Sequence, residues 1–516
     1  LNLVTFVCVL KSCAKTGDIE EGREVHDNII KRGLEREVLI SNTLIDVYAK
    51  CGALKEAKSL FDHLLVQDEV AWTALIAGYV EQGYGEQALQ CVENMQLKGI
   101  PWNSFTFVCS LKACSIIGAT VKGCEIHMQV VCSGYEMDLL ISNMLIDMYA
   151  KCGLLAMAEE VFEKLPVRNV VSWTTLMTGF LEHGYAEKGF NFLEQMMQDE
   201  RMPLNVVTYL CSLKMCGSLG AEAKGQEIHL EIMKKGLEIE NLIGSILVYM
   251  YTKCHALVEA QDVFDKLPVQ DVVSWTCLIT GYTENGQAGK ALNCLEKLQL
   301  AGLIPNAVTY LCSLKACGAV KYVEEGQQLH AEIIKRGYLE CDIVVGNALI
   351  GMYASFDMLS TAQNVFENLP GQNTISWTIL IEAYYDHEHS QRAWNSLQQM
   401  QMEGILPDIV TFLCVLKSCT SACAIKKGYK LHAVLSILEE HNIVGSILID
   451  FYANCGLLQE AHKVFDEVST HNVVSWTSLI KGYTKFGYNE DALSYFEKMQ
   501  VQSIAPNATT FLCVLK

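Results

Sequence analysis

Val170–Asn205 reads VVSWTTLMTGFLEHGYAEKGFNFLEQMMQDERMPLN. Its opening returns at Glu69 as EVAWTALIAGYVEQGYGEQAL, at Val272 as VVSWTCLITGYTENGQAGKAL, at Thr374 as TISWTILIEAYYDHEHSQRAW and at Val473 as VVSWTSLIKGYTKFGYNEDAL. The five starts lie 99–102 residues apart. A fixed period marks a repeat architecture, in which one unit cannot bury its own apolar faces and stacked neighbours can. Two further motifs recur between these copies. One is SFTFVCSLKACSIIGATVKGCEIHMQVVCSGYEMD from Ser104; the other is LLISNMLIDMYAKCGLLAMAEEVFEKLPVRN from Leu139. The unit is therefore about 31–36 residues long, in three alternating kinds. We call them tryptophan, histidine and tyrosine units, after Trp173, His127 and Tyr149.

Each unit reads as two helices. In 38–68, Leu44, Ile45, Tyr48 and Ala49 form one apolar face, and Gly52 ends the first helix. Leu54, Ala57, Leu60, Phe61 and Leu64 repeat the pattern. Ala57, Ala158, Ala260, Ala362 and Ala461 occupy one equivalent position, small enough for two helix backbones to approach. The expected fold is all-α, a right-handed superhelical α-solenoid of stacked helix-turn-helix repeats. The expected array runs without a linker over 3–507, in fifteen units grouped as 3–103, 104–205, 206–306, 307–408 and 409–507. The unit 409–441 is short, so its second helix is expected to end early. A further histidine-type unit opens at 508 and stops at 516. The chain also starts inside the pattern, so it is expected to be a fragment, and a missing targeting peptide carries no information.

Of 516 residues, 51% are apolar and 19% charged, with a net charge of −20. Such acidity weakens a nucleic-acid reading. Charge is screened over about 8 Å at physiological salt, however, so a local basic stripe can act despite an acidic far side. No apolar run is long enough to span a membrane. The 22 cysteines fall at repeat positions, as in the i, i+5 pairs Cys8/Cys13, Cys109/Cys114, Cys211/Cys216, Cys312/Cys317 and Cys414/Cys419. On a helix that spacing separates two side chains by about 140°. Reduced, buried thiols are expected, and the C-x-x-C of zinc ribbons does not occur.

The alternation of VVSWTTLI with a later Pro-Asn, VTFVCVLKSC with GREVHDNIIKRG, and SNTLIDVYAKCG with AKSLFDHL resembles the plant pentatricopeptide repeat proteins of the PLS class. Their P, L and S repeats correspond to the tryptophan, histidine and tyrosine units. The resemblance covers essentially the whole chain. It implies single-stranded RNA as the partner, a mitochondrial or chloroplast location, and selection of sites for C-to-U editing, with other editing proteins as possible partners. It implies no DNA target, no membrane, no cofactor and no metal. One repeat is expected to read one base through its fifth and last residues. The pairs are Asn42 with Asp68, Thr73 with Asn103, Asn143 with Asn169, Thr174 with Asn205 and Ser245 with Asp271. They continue as Thr276 with Asn306, Asn347 with Asn373, Thr378 with Asp408, Ser446 with Asn472 and Thr477 with Asn507. The implied target is 5′-n U A n Y A n G A n Y G n A A-3′, where n faces a histidine unit and Y is a pyrimidine.

The residue chemistry suits this. Asn offers a donor and an acceptor, Thr and Ser a rotatable hydroxyl, and Asp only acceptors. Unstacked bases expose such edges. The rival reading is helix capping, since Asn, Asp, Ser and Thr are the common caps. Val7, Val108, Leu210, Leu311 and Leu413, fifth in the histidine units, cannot hydrogen-bond a base. These units are expected to act as spacers. The second residue is apolar, as Val70, Val171, Val273, Ile375 and Val474, which fits either a base face or the core. Lys11, Lys112, Lys214, Lys315 and Lys417 lie one turn beyond position five, on the same face. With Lys50, Lys151 and Lys253 nearby, they are candidate phosphate contacts, against a reading as solvated lysines.

Other signals are read as structural. His26, His127, His229, His330 and His432 recur at repeat spacing, so they do not gather. His229-Leu230-Glu231 and His330-Ala331-Glu332 match half of a zinc-deaminase motif, whose C-x-x-C is missing. No catalysis is expected of this chain. Trp72, Trp173, Trp275, Trp377 and Trp476 are expected to pack between helices rather than stack on bases. The competing function is a peptide-binding solenoid of the tetratricopeptide kind.

Overall fold

The computed structural model describes residues 3–515 except 36, 199–201, 203, 238–239, 436–440 and 469–470. The described residues form helices joined by short turns, with no strand among them. They divide into two compact units, Leu1–Val269 and Gln270–Lys516.

In the first unit, the first helices Leu3–Thr16, Val38–Lys50, Glu69–Glu81, Ser104–Ile117, Leu139–Lys151, Val170–Glu182, Val206–Leu219 and Asn241–Lys253 each pack on the next. The second helices, such as Ile19–Lys31, Leu54–His63 and Gly85–Leu97, pack on the first helix of their own hairpin and on the one that follows. The second unit repeats the scheme, with first helices from Val272–Glu284 to Ala508–Val514. There a four-residue helix, Tyr338–Cys341, intervenes between Val323–Lys335 and Ile343–Ser355. The architecture of each unit is an α-solenoid. Whether the second helix after Ile409–Ser421 ends early lies outside the described residues beyond Leu435.

Three sequence features build the hairpins. Helix starts are set by capping, as where the Asp68 side chain accepts the Ala71 backbone N–H. Stops use the left-handed conformation, as at Gly52 with φ +79°. Small residues set the spacing: Ala57, Ala158, Ala260, Ala362 and Ala461 are fully buried. A methyl placed on Gly179 would stand 2.5 Å from Ala150 Cβ, so these two first helices touch nearly backbone to backbone. The core is filled by one large aromatic after another, including Phe61, Phe162, Trp377 and Tyr452.

Candidate nucleic-acid interface

The ten proposed last residues all sit at the same structural place, the N-cap of a first helix. The Oδ1 atoms of Asp68, Asn103, Asn169, Asn205, Asp271, Asn306, Asn373, Asp408, Asn472 and Asn507 each accept the backbone N–H three residues on, at 2.7–2.9 Å. Capping therefore engages one end of each side chain. Capping commits Oδ1, which leaves Asn with its Nδ2 donor and Asp with a second acceptor. None of the ten is buried, and Asn205, Asp408, Asn472 and Asn507 are exposed. Asn103 differs, because its Nδ2 donates to the Glu69 carboxylate.

The fifth residues lie behind them. Asn42, Thr73, Asn143, Thr174, Ser245, Thr276, Asn347, Thr378, Ser446 and Thr477 are only 2–8% exposed, and those whose neighbouring first helices belong to the same unit are wedged between them. The wedge follows from the tight spacing that the small residues allow. Within the first unit, Asn42 Nδ2 donates to Asp68 Oδ1 at 3.0 Å, and Asn143 Nδ2 reaches Asn169 Oδ1 at 3.5 Å. Within the second, Ser446 Oγ reaches Asn472 Oδ1 at 3.4 Å. Ser245 belongs to the first unit and Asp271 to the second. The threonines lie against their own helix: Thr174 Oγ1 donates to Val170 O at 2.8 Å, while Thr276 Oγ1, with one proton to give, lies 2.6 Å from Val272 O and 2.7 Å from Thr309 Oγ1. Thr73 makes the same bond to Glu69 O. This satisfies the hydroxyl in the free chain.

Not every polar atom is satisfied. Among the described residues, Oδ1 of Asn42, Asn143 and Asn347 is buried without a hydrogen-bond partner. An orphaned buried acceptor costs about 1–3 kcal/mol. Its recurrence at three equivalent positions makes these atoms candidates for a donor brought by a ligand.

The second residues stand out to solvent. Val70, Val171, Val273, Ile375 and Val474 are 51–59% exposed. So are their equivalents elsewhere, among them Val4, Leu39, Phe105, Leu140, Val207, Leu242, Val308, Val344 and Val410 at 50–63%. Core packing does not account for them. Val4 aside, each sits two positions after a helix N-cap, so an exposed apolar side chain accompanies each cap residue.

The lysines separate into two groups. Lys11, Lys112, Lys214, Lys315 and Lys417 are exposed. Lys50 and Lys151 pair with Asp46 and Asp147 on their own helices at 2.8 and 2.9 Å, which cancels their charge locally. Lys253 lies 5.8 Å from the Tyr249 ring centre. The histidine-unit lysines are thus the exposed candidates whose charge no acid on their own helix turn cancels.

The histidines have one recurring role. His26, His127, His229, His330 and His432 meet the hydroxyls of Tyr48, Tyr149, Tyr251, Tyr353 and Tyr452 through Nδ1 at 2.7–2.9 Å. They tie a second helix to the next first helix. Burial holds His26, His127, His330 and His432 below the usual imidazole range. The half-motif glutamates are likewise engaged: Glu231 accepts from Tyr209 Oη at 2.8 Å and Glu332 pairs with Arg336 at 2.9 Å. The five tryptophans are 1–6% exposed. Trp72, Trp173, Trp377 and Trp476 pack edge-on against Phe61, Phe162, Phe366 and Phe465, with ring centres 4.5–4.7 Å apart.

One set of contacts escaped the sequence reading. Thr106, Thr208, Thr309, Thr411 and Thr510, third in the helices that follow tryptophan units, are fully buried and donate to Oδ1 of the cap before them at 2.7–3.0 Å. The signal was available as an unbroken threonine at that position.

Comparison with known proteins agrees with this architecture. The PPR repeat family model matches residues 67–115, 270–319, 372–421 and 471–516. The PPR repeat model matches 4–34, 40–67, 141–170, 171–200 and 446–473. A mitochondrial pentatricopeptide repeat-containing protein of Arabidopsis thaliana is 30% identical over 100% of this chain and 67% of its own length. A second from the same plant is 32% identical over 98% of this chain and 74% of its own. A chloroplastic one is 32% identical over 100% of this chain, which spans 58% of that relative. The crystal structure of PPR10 with an 18-nt psaJ RNA element superposes with TM-score 0.63 at 16% identity, over 100% of this chain and 81% of that one. The chain belongs to the pentatricopeptide repeat family.

Proposed function

We propose that this protein binds single-stranded RNA and selects its sequence, one base to each tryptophan or tyrosine unit. The observation that carries the reading is the recurring cap residue, whose one end holds a helix and whose other end is left over, beside an exposed aliphatic second residue. A base lying on the aliphatic side chain would turn its edge to the leftover Nδ2 or carboxylate oxygen. Asn, a donor there, favours bases with a ring-nitrogen acceptor. Asp favours bases with a ring N–H. The fifth residue stands behind, where the orphaned Oδ1 of Asn42, Asn143 and Asn347 lacks a donor. The structure of PPR10 in complex with an RNA element supports the ligand class. Relatives named mitochondrial and chloroplastic support an organellar location.

The finer reading is an L-S-P array over 3–507 of the PLS class, which specifies sites of C-to-U editing. In it the chain supplies recognition and does no chemistry, and editing partners are recruited beyond it. The testing experiment is a gel shift with two 15-nucleotide RNAs, one carrying 5′-n U A n Y A n G A n Y G n A A-3′ and one scrambled. Preferential binding of the patterned RNA is expected. Equal binding to both would sink sequence-specific recognition.

A further inference from the structure

The third residue of a first helix changes with what stands before it. After the caps proposed to read bases it carries a hydroxyl in nine of ten cases: Thr106, Thr208, Thr309, Thr411, Thr510, Ser172, Ser274, Ser376 and Ser475, with Ala71 the exception. After the last residues of histidine units it is aliphatic, as Ile40, Ile141, Ile243, Val345 and Val444. Part of this division belongs to the helix start itself: Thr309 and Thr510 accept the backbone N–H of Asn306 and Asn507 in a capping box, whereas Glu37 and Glu240, before Ile40 and Ile243, make no side-chain cap.

Each threonine hydroxyl has one proton to give and lone pairs with which to accept, so giving the proton to the cap leaves it an acceptor toward the threonine before it. Thr309 Oγ1 donates to Asn306 Oδ1 at 3.0 Å and lies 2.7 Å from Thr276 Oγ1, the fifth residue of the unit before. Thr411 stands likewise between Asp408 and Thr378, at 2.7 and 2.6 Å, and Thr510 between Asn507 and Thr477, at 2.9 and 2.7 Å. A carboxamide oxygen has two lone pairs. The backbone N–H of Thr309 takes one at 2.9 Å, and the threonine hydroxyl takes the other. With both filled, Oδ1 cannot turn to solvent, and Nδ2 is the end presented.

We propose that Thr208, Thr309 and Thr510 are positioning residues that lock the carboxamides of Asn205, Asn306 and Asn507 donor-outward. The histidine unit, apolar at its own fifth position, thereby sharpens the specificity of the unit before it. The inference rests on the RNA-reading proposal above. It has an internal control: the Asp408 carboxylate is the same at both ends, so Thr411 has no orientation to fix.

The test compares two 15-nucleotide RNAs that differ only at the ninth position, A or G, the nucleotide assigned to Thr276 and Asn306. Binding of the unmodified chain, T309V and T309S is measured, with circular dichroism to confirm the folded fraction. Loss of one neutral hydrogen bond should lower the A-over-G ratio roughly three- to tenfold in T309V. T309S should retain it. T411V should keep the G-over-A ratio at the twelfth position. If T309V fails to fold, T510V reads the same effect at the fifteenth nucleotide. A full ratio in folded T309V, or an equal loss in T411V, overturns the inference and leaves RNA reading intact. An unmodified chain with no preference at the ninth position overturns the RNA reading itself.

Discussion

Asn42 and Thr378 hold equivalent positions in different kinds of unit, and each has an aspartate as its cap partner. Asn42 reaches Asp68 at 3.0 Å, whereas Thr378 turns to its own helix and to Thr411. The RNA proposal makes this difference readable. T378N, with Asp408 kept, should shift preference at the twelfth nucleotide from G toward U by about 1–3 kcal/mol, the scale of a good base contact. Binding to RNAs with each of the four bases at that position measures it; an unchanged order would remove Thr378 from the readers. The polar pairs were legible in the sequence because they recur with their residue types intact. That the fifth residue is buried was not legible, since burial depends on how closely two successive helices approach. The exposure of Val171 and its equivalents was equally hidden, because an apolar residue at a helix start fits a core or a surface.

At the scale of the helix, Pro, Gly and cap residues bracket the elements so clearly that Val170–Glu182 begins at the first residue of its motif. Packing between helices is set by fewer residues. G179A would place a methyl 2.5 Å from Ala150 Cβ and push two first helices apart. A loss of roughly 1–3 kcal/mol is expected from such overpacking, read as a lower denaturant midpoint. The His–Tyr links make a second prediction, in pH. Burial depresses the imidazole pKa of His26, His127, His330 and His432 in the folded chain, so the unfolded chain binds the extra protons. Their contribution is complete above the unfolded value of about 6.5 and is lost as pH falls from there through the depressed folded values. The melting midpoint should therefore drop between pH 7.5 and 5.5, and H127Q should drop less over the same interval. A midpoint as high at pH 5.5 as at pH 7.5 would contradict the assignment.

For the whole molecule the notable quantity is a net charge of −20 on a proposed RNA binder. Attraction then depends on where the few cations stand rather than on the sum. The exposed histidine-unit lysines have no acidic partner on their own helix turn, unlike Lys50 and Lys151. For single-stranded RNA, each phosphate contact contributes about −0.7 to the slope of log affinity against log salt. K112A should flatten that slope by about one contact, and K151A should change it little, in titrations over a salt series. Equal effects would deny the separation between the two groups. Repetition itself was plain from the spacing of the tryptophan motifs, whereas the local cancellation of charge required knowing which acids stand one turn away.

The paired cysteines have a use of their own. Burial pushes the thiols of Cys114, Cys216 and Cys317 up to about 12, and that of Cys419 to about 11. Alkylating reagents attack thiolates, so at neutral pH each of these sulfurs stays silent until its helix opens. They fall at one structural position, spaced along the chain like marks on a gauge. Mass-resolved pulse labelling of the unmodified protein would report when each section loosens, with no engineered probe.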